Sequence, residues 1–308
     1  MRRRSSAMDV IIVGAGASGL SAAQHCALQG LRTLVIESQF AGGLIVNVGV
    51  LDGYPGALGI SGAGFASAMQ SELQELGIEI VTGEVSEIVP GPRLWTVKVA
   101  QRVYQTSNVV CATGAQLAPL PVPGFARLLG RGVSQCAYCD AGLYRDERVV
   151  VVGGGDAALQ EALHLTDYAS EVILVHRTKR LRARHDYVTR AGSSANLQFR
   201  WSSEVVEILG DSGVEGVCVR NIEREDNDTI SCRAVFPFVG LQPRTDVFAA
   251  HVVRDERGAI TANDSLMANA QGVFVVGAAR AGYEGLVVDA VSDGARAARS
   301  IARRRGGA

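Results

Sequence analysis

The chain is poor in aromatics, with two Trp, seven Tyr and eight Phe among its 308 residues. That scarcity excludes the stacking platform on which single-stranded nucleic acid is held. It also lacks an excess of either charge, because 30 Lys and Arg stand against 31 Asp and Glu. No overall field therefore draws it to nucleic acid or to an acidic membrane surface. No uninterrupted apolar run approaches the ~18 residues expected of a membrane helix. The short run at residues 10–13 passes directly into glycines, so no secretory core follows Arg4. A cytoplasmic protein is expected. Six cysteines are too few to staple a chain of this length. Only one Cys-x-x-Cys occurs, and no second pair stands at zinc-ligand spacing, so no metal is expected. Cys26, Cys111, Cys218 and Cys232 lie in apolar stretches and read as core residues. Arg2-Arg3-Arg4 and Arg303-Arg304-Arg305 read as solvated basic tails.

What the chain has is glycine placed with purpose. Val13-Gly14-Ala15-Gly16-Ala17-Ser18-Gly19 follows an apolar strand, and Val152-Gly153-Gly154-Gly155-Asp156-Ala157-Ala158 follows another at residues 149–152. At such a loop the first glycine permits a tight strand-to-helix turn. The second lets a pyrophosphate approach the backbone, and the third small residue lets helix and strand pack closely. The free N–H groups at the helix start then bind phosphate, aided by the helix dipole. In both copies the end of the next strand comes 23 residues after the first glycine, at Glu37 and at His176. A carboxylate there accepts hydrogen bonds from ribose hydroxyls and repels a 2′-phosphate, which suits the adenosine of FAD or NAD. The second copy instead offers His176 and Arg177, followed by Lys179, Arg180 and Arg182. Those cations favour NADP(H) over NAD(H).

The spacing of apolar residues predicts a helix over 18–29 ending at Gly30 and a strand over 33–36. A second helix carries Phe65, Met69, Leu73 and Leu76 and ends at Gly77. Strands are expected at 78–81, 94–99, 108–111 and 272–277, and a closing helix over 286–301. Prolines at 119, 121 and 123 mark one crossing between domains, and Val239-Gly240-Leu241-Gln242-Pro243 marks another. Two crossings imply an inserted domain, 119–244, within an outer one formed by 1–118 and 245–308. Alternation of strand and helix implies parallel sheets with right-handed crossovers. The expected class is α/β, with two Rossmann-like three-layer dinucleotide-binding domains, the NADPH domain inserted into the FAD domain.

The pair Cys136-Ala137-Tyr138-Cys139 ends 14 residues before Gly153. Two thiols at this spacing can close a disulfide, and lowering the pKa of one makes it an attacking sulfur. Asp140 follows directly and is a candidate acid–base for thiolate release. Two dinucleotide loops and one dithiol suggest electrons passing from a nicotinamide through a flavin to a disulfide.

On these stretches, with Tyr54-Pro55-Gly56, Ala112-Thr113-Gly114, Gly132-Val133-Ser134-Gln135 and Gly272-Val273-Phe274, the chain resembles the low-molecular-weight thioredoxin reductases over nearly its full length. The resemblance implies a homodimer that binds FAD and NADPH and whose NADPH domain rotates. It assigns to FAD Gly14, Ala15, Gly16, Ala17, Ser18, Gly19, Glu37, Gly43, Leu44, Val85, Ala112, Thr113, Gly114, Gly277 and Ala278. It assigns to NADPH Gly153, Gly154, Gly155, Asp156, Ala157, Ala158, His176, Arg177 and Arg182. It makes Cys139 the sulfur nearer the flavin and Cys136 the one that attacks substrate, a thioredoxin-like protein or a small-molecule disulfide. The chain departs from the family pattern at Leu44, where glutamine is usual, and at Asp52-Gly53 in place of Glu-Asn. Ala278 replaces an aspartate that holds FAD, the following Arg-Gln is absent because Tyr283-Glu284-Gly285-Leu286 occupies the stretch, and Thr178 replaces one arginine of the phosphate clamp.

Three functions compete. The first is an NADPH-dependent flavoprotein disulfide reductase acting through Cys136 and Cys139. The second is an oxygen-dependent oxidase of small-molecule dithiols that needs no NADPH, which the thinned clamp and altered flavin contacts favour. The third is a non-catalytic, flavin-binding redox sensor on the same scaffold.

Overall fold

The computed structural model describes residues 7–306. Arg2-Arg3-Arg4 lie outside the described residues. The chain divides into two compact units, Met1–Gln116 with Gln242–Ala308, and Leu117–Leu241. Arg244 belongs to the first of these because its N–H donates to the Gly114 carbonyl at 3.0 Å and its guanidinium to Gln116 Oε1.

The first unit opens with β1 (Met8–Val13), α1 (Ala17–Leu28), β2 (Thr33–Glu37), α2 (Gly62–Glu75), β3 (Glu79–Thr82), β4 (Val85–Pro90), β5 (Trp95–Val99) and β6 (Arg102–Cys111). β1 is a run of β-branched residues because both of its faces are buried. Val10 and Ile12 enter the core beneath α1, with Leu20, Ala23 and Cys26. Ile11 and Val13 enter the opposite core, with Phe248, Val252 and Ile260. The sheet order is β3-β2-β1-β6-β5-β4. It is parallel through β3, β2, β1 and β6. β4, β5 and β6 form an antiparallel meander, a departure from the expected all-parallel sheet. The meander arises because Gly91-Pro92-Arg93 and Ala100-Gln101 allow only short returns, too short for a crossover helix.

The chain then passes through β7 (Ala115–Leu117) into the second unit. There α3 (Phe125–Leu128), α4 (Ala137–Asp140), β8 (Arg148–Gly153), α5 (Asp156–Leu165), β9 (Glu171–Val175), α6 (His185–Ser193) and β10 (Leu197–Arg200) are followed by β11 (Ser203–Leu209), β12 (Gly216–Asn221), β13 (Asn227–Ser231) and β14 (Ala234–Phe238). A parallel sheet runs β10-β9-β8-β14. One face packs Val149, Val151 and Leu174 against Leu159 and Ala162 of α5. The other packs Val150, Val152 and Val235 against Val205, Val217, Val219 and Ile230. This second layer is the antiparallel sheet β11-β12-β13, where only helices and parallel strands were expected. Its strands present apolar residues on one face alone, which a sheet lying on another sheet requires.

The return to the first unit runs through β15 (Leu241–Pro243), which pairs with β7, then β16 (Val273–Val275) and α7 (Val287–Gly306). β16 extends the parallel sheet beside β6. α7 crosses α1 where that helix offers small residues, and Ser21 Oγ donates to the Val291 carbonyl at 2.7 Å. α7 is longer than the expected 286–301 and includes Arg303-Arg304-Arg305 in its last turn. Those arginines are therefore not a tail. Arg305 pairs with Asp9 at 3.5 Å and donates to the Gly30 carbonyl, and cations are favoured at a helix C-terminus. Among the described residues no helix is long and apolar enough to cross a membrane.

Cys26, Cys111 and Cys232 are buried, and Cys218 on β12 is half-buried rather than a full core residue. Burial pushes the first three thiols up, to about 12, about 11 and about 12 respectively. Because the thiolate is the reactive form, these three should resist iodoacetamide at pH 8 in the folded protein and label fully in denaturant. Peptide mass mapping reads the outcome, and rapid native labelling of any of the three would contradict the burial.

Candidate functional site

In the first unit the loop between β1 and α1 is fixed by backbone contacts. Gly14 has φ +104°, and a Cβ there would lie 2.3 Å from the Ala112 carbonyl oxygen. Only glycine fits, and the Ala112-Thr113-Gly114 turn after β6 is thereby brought against the loop. The Gly42 N–H donates to the Ala15 carbonyl at 2.7 Å, so Gly42-Gly43 also reach it. Glu37, at the end of β2, accepts the Ala15 N–H at 2.7 Å through Oε2 and the Gln39 N–H at 2.9 Å through Oε1. Its carboxylate is thus held beside the start of α1.

Gly16 is the N-cap of α1. No side chain caps this helix, and its first turn holds no acidic residue. The leading N–H groups thus have no capping side chain to meet, as phosphate binding requires. These features fit the adenosine diphosphate part of a dinucleotide. Gly277 lies against Ser18, and Leu44 sits, more than one-third exposed, in the 3₁₀ turn Gly43–Asn47. Val85 opens β4 opposite Val99, packed against the core that holds Ile36 and Val81.

Sequence reasoning missed Asp293. It is 2 % exposed. Oδ2 accepts the Gly277 N–H at 3.1 Å and the Arg280 Nε at 2.8 Å, and Oδ1 faces Arg296 at 3.4 Å. A buried carboxylate between two guanidiniums fixes the turn that contains Ala278.

In the second unit the loop of residues 153–158 joins β8 to α5. Its N-cap, Gly155, is extended, and no side chain caps the helix. Asp156 would oppose a phosphate, but its Oδ1 accepts the Arg184 N–H at 2.7 Å. The Arg182 N–H donates to the Gly154 carbonyl at 2.8 Å, so the turn after β9 wraps the loop. His176 is buried, and a Cβ on Gly154 would lie 2.2 Å from its ring. His176 Nε2 sits 3.1 Å from the Arg180 carbonyl and 2.9 Å from the Thr178 hydroxyl. Thr178, in place of the family arginine, ties this turn to itself through His176 and Arg180. Lys179 is paired with Glu223 at 2.9 Å, and Arg184 forks onto Asp186 and lies over Tyr187. Among the described residues the guanidiniums of Arg177, Arg180 and Arg182 have neither hydrogen bond nor ion pair. The cations available to a phosphate are therefore arginines.

Cys136 and Cys139 form a disulfide, with Cα atoms 5.3 Å apart. Cys136 is the N-cap of α4, and the Cys139 N–H points at its Sγ from 3.1 Å. The Cys136 N–H donates to Ser134 Oγ at 3.2 Å. The Ala137 N–H donates to Glu161 Oε2 at 2.6 Å, and the Tyr138 N–H also bonds this carboxylate. Glu161, on α5, is 7 % exposed. Burial pushes its carboxyl up to about 7, against the opposing pull of those two N–H groups. The Tyr138 ring stacks on His164 at 3.9 Å, and burial holds the His164 imidazole below its ordinary range. Asp140 ends α4. The Tyr144 hydroxyl is pushed up by burial first and by Asp140 second.

Glu161 was also missed, although the sequence carried a signal. Ala158, Glu161, Ala162 and Leu165 stand at i, i+3, i+4 and i+7, so one acid lies on the apolar stripe of α5. An acid at a core position calls for a buried partner.

The sequence profile of the pyridine nucleotide-disulphide oxidoreductases matches residues 8–294. The chain is 37% identical over 295 residues to thioredoxin reductase of Treponema pallidum, covering 96% of each protein. It is 34% identical to thioredoxin reductase of Bacillus subtilis, over 95% of this chain and 93% of that one. Among solved structures it is similar to Lactococcus lactis thioredoxin reductase, with TM-score 0.95, 32% identity, and coverage of 98% of this chain and 100% of that one. A second such structure is thioredoxin reductase of T. acidophilum, with TM-score 0.92, 28% identity, and coverage of 97% and 98%. FAD and NADPH are the cofactors this kinship implies, and disulfide reduction is its chemistry. The chain belongs to the pyridine nucleotide-disulphide oxidoreductase family, as a flavoprotein oxidoreductase acting on disulfides.

Proposed function

We propose that this enzyme reduces the disulfide of a thioredoxin-like protein with electrons from NADPH, working as a homodimer in the cytoplasm. The observation that carries the reading is the Cys136–Cys139 disulfide at the head of α4, beside the helix that opens at the second glycine loop. The relatives favour this over the oxygen-dependent dithiol oxidase and the non-catalytic sensor. The unit Met1–Gln116 with Gln242–Ala308 is the FAD domain in this reading, and Leu117–Leu241 the NADPH domain. FAD is held by the loop of residues 14–19, Glu37, Gly43, Leu44, Val85, residues 112–114 and the Gly277-Ala278 turn. NADPH is held by the loop of residues 153–158, with His176, Arg177 and Arg182 at its 2′-phosphate. Bound FAD and NADPH supply the two-electron reducing chemistry.

The chain's own part is thiol exchange. With the disulfide reduced, the N-cap position and the Cys139 N–H favour charge on Cys136 Sγ. That thiolate attacks one sulfur of the substrate disulfide, and the other sulfur leaves as a thiol after taking a proton. Cys139 Sγ, having lost its proton to a base, for which Asp140 is the candidate, then attacks Cys136 Sγ in the mixed disulfide. The Cys136–Cys139 bond re-forms and the substrate departs as a dithiol, so two electrons have moved to it. Cys139 is the more exposed sulfur. Stabilisation of the thiolate, rather than exposure, selects the attacker, because only the thiolate reacts.

Two tests follow. The purified protein should be yellow, and anaerobic NADPH should bleach it. Cys139→Ser should then accumulate a stable mixed disulfide with thioredoxin, whereas Cys136→Ser should not. Trapping by Cys136→Ser instead would reverse the two sulfur roles, and a flavin that NADPH leaves oxidised would exclude the reductase. Separately, Arg177→Ala and Arg182→Ala should each raise the KM for NADPH about 10- to 100-fold. The loss corresponds to one charged hydrogen bond of ~1.5–3 kcal/mol. The KM for NADH should hardly change. Equal losses with both nucleotides would show that these arginines do not read the 2′-phosphate.

A further inference from the structure

Helix α4 has four residues, so it cannot satisfy its own leading N–H groups. Three of them are spoken for. The Ala137 and Tyr138 N–H groups go to Glu161, and the Cys139 N–H goes to Cys136 Sγ. Carboxylate and sulfur therefore share the start of one turn. Above about pH 7, where Glu161 has lost its proton, a negative charge on Cys136 faces a second one held on the neighbouring N–H groups.

We propose that Glu161 is a positioning residue for the dithiol: it fixes the Cys136–Cys139 turn through two N–H groups, and its charge restrains ionisation of Cys136. The inference rests on the reading of Cys136 and Cys139 as the working dithiol.

The geometry supports a specific influence. Glu161 projects from the buried stripe of α5, in the helix that begins at the second glycine loop. One helix thus presents the nucleotide-binding loop at its start and the dithiol's holding group one turn and a half later. Burial keeps water from screening the carboxylate. The other titratable groups around the turn are Asp140 on α4, Tyr144 beyond it, and His164 on α5, with Arg233 acting on Tyr144 and Asp167 on His164. None forms an ion pair with Glu161 among the described residues. An amide at position 161 therefore removes the one charge resting on these two N–H groups while keeping an acceptor for them.

The consequence has a definite sign. Without the carboxylate charge, the Cys136 thiolate is easier to form. The reduced pair is then more stable relative to its disulfide, which becomes the stronger oxidant. At an effective dielectric of ~20–40, a unit charge held on the same turn acts on a thiol by roughly one pKa unit or more.

The test uses the full-length flavoprotein. In a Cys139→Ser background, the rate of iodoacetamide alkylation at Cys136 is followed against pH with and without Glu161→Gln. The midpoint should fall by about one unit in Glu161→Gln. In the unaltered dithiol, equilibration with glutathione should shift up to about tenfold toward the reduced pair on the same substitution, equivalent to ~30 mV for two electrons. Glu161→Ala should loosen the turn as well, and amide exchange at Ala137 and Tyr138, slow in the parent protein, should become fast. An unchanged midpoint and glutathione equilibrium in a folded Glu161→Gln protein would overturn the proposal, as would fast exchange of both amides in the parent. Glutathione reads the sulfur pair without NADPH, so failure of the reductase reading would appear separately, as a flavin that NADPH does not bleach.

Discussion

The structure depends on what is done with backbone N–H groups that a helix cannot satisfy within itself. Every α-helix begins with such donors, and burying them without a partner is costly. At α1 and α5 the caps are glycines, and no side chain is offered. At α1 the first turn carries no acid, while at α5 the one acid, Asp156, is turned to the Arg184 N–H. Both helix starts are left to a ligand, and phosphate is the ligand that such a start prefers. At α4 the opposite choice is made. Its donors are taken by a buried carboxylate and by a sulfur, so the turn is complete without any ligand. The same unmet valence thus makes two binding sites and one reaction centre, and the difference lies in a few side chains.

Much of this was legible in the sequence because it is written in short-range patterns. The strand–glycine–helix motif puts Gly14 and Gly153 at turns that tolerate no other residue in that space. The spacing to Glu37 and His176 follows from the length of one helix and one strand, and both residues reach their loops through backbone contacts. What was not legible depends on pairs distant in the chain. The strands of the sheet β11-β12-β13 are short, and their one-faced apolar pattern does not by itself say which strand pairs with which. The antiparallel pairing is decided by the short returns at residues 210–215 and 222–226. The Arg303-Arg304-Arg305 cluster looks like a tail until Asp9, nearly 300 positions away, is seen to pair with Arg305.

The departures from the family pattern can be weighed against what surrounds them. Ala278 removes a carboxylate, yet the turn beneath it is held by Asp293, which takes the Gly277 N–H and two arginines. A buried charge so paired is costly to break on one side only, so the turn keeps its shape although the ligand-facing acid is gone. Thr178 removes an arginine from the phosphate clamp. Its hydroxyl instead bonds within the turn and helps to orient His176, while among the described residues the guanidiniums of Arg177, Arg180 and Arg182 have no hydrogen bond or ion pair. Lys179, the next cation along, is engaged with Glu223 in an exposed ion pair. At the proposed NADPH site, position 178 thus shapes His176 rather than offering a cation of its own.

The contrast among the six cysteines follows from the same physics. Burial suppresses the ionisation of Cys26, Cys111 and Cys232, and at the last two it does so against polar groups of Thr113 and Ala234 that approach the sulfur. Cys136 sits where a backbone N–H points at its sulfur. Burial outweighs such donors at Cys111 and Cys232, whereas Cys136 is only half-buried, and half-buried Cys218 has no such turn around it in the middle of β12. A helix start raises thiolate character; a buried acid on the same start lowers it. In the proposed cycle the dithiol lies between these two influences, and a pair that is reduced and reoxidised at every turn needs that balance more than it needs the strongest nucleophile.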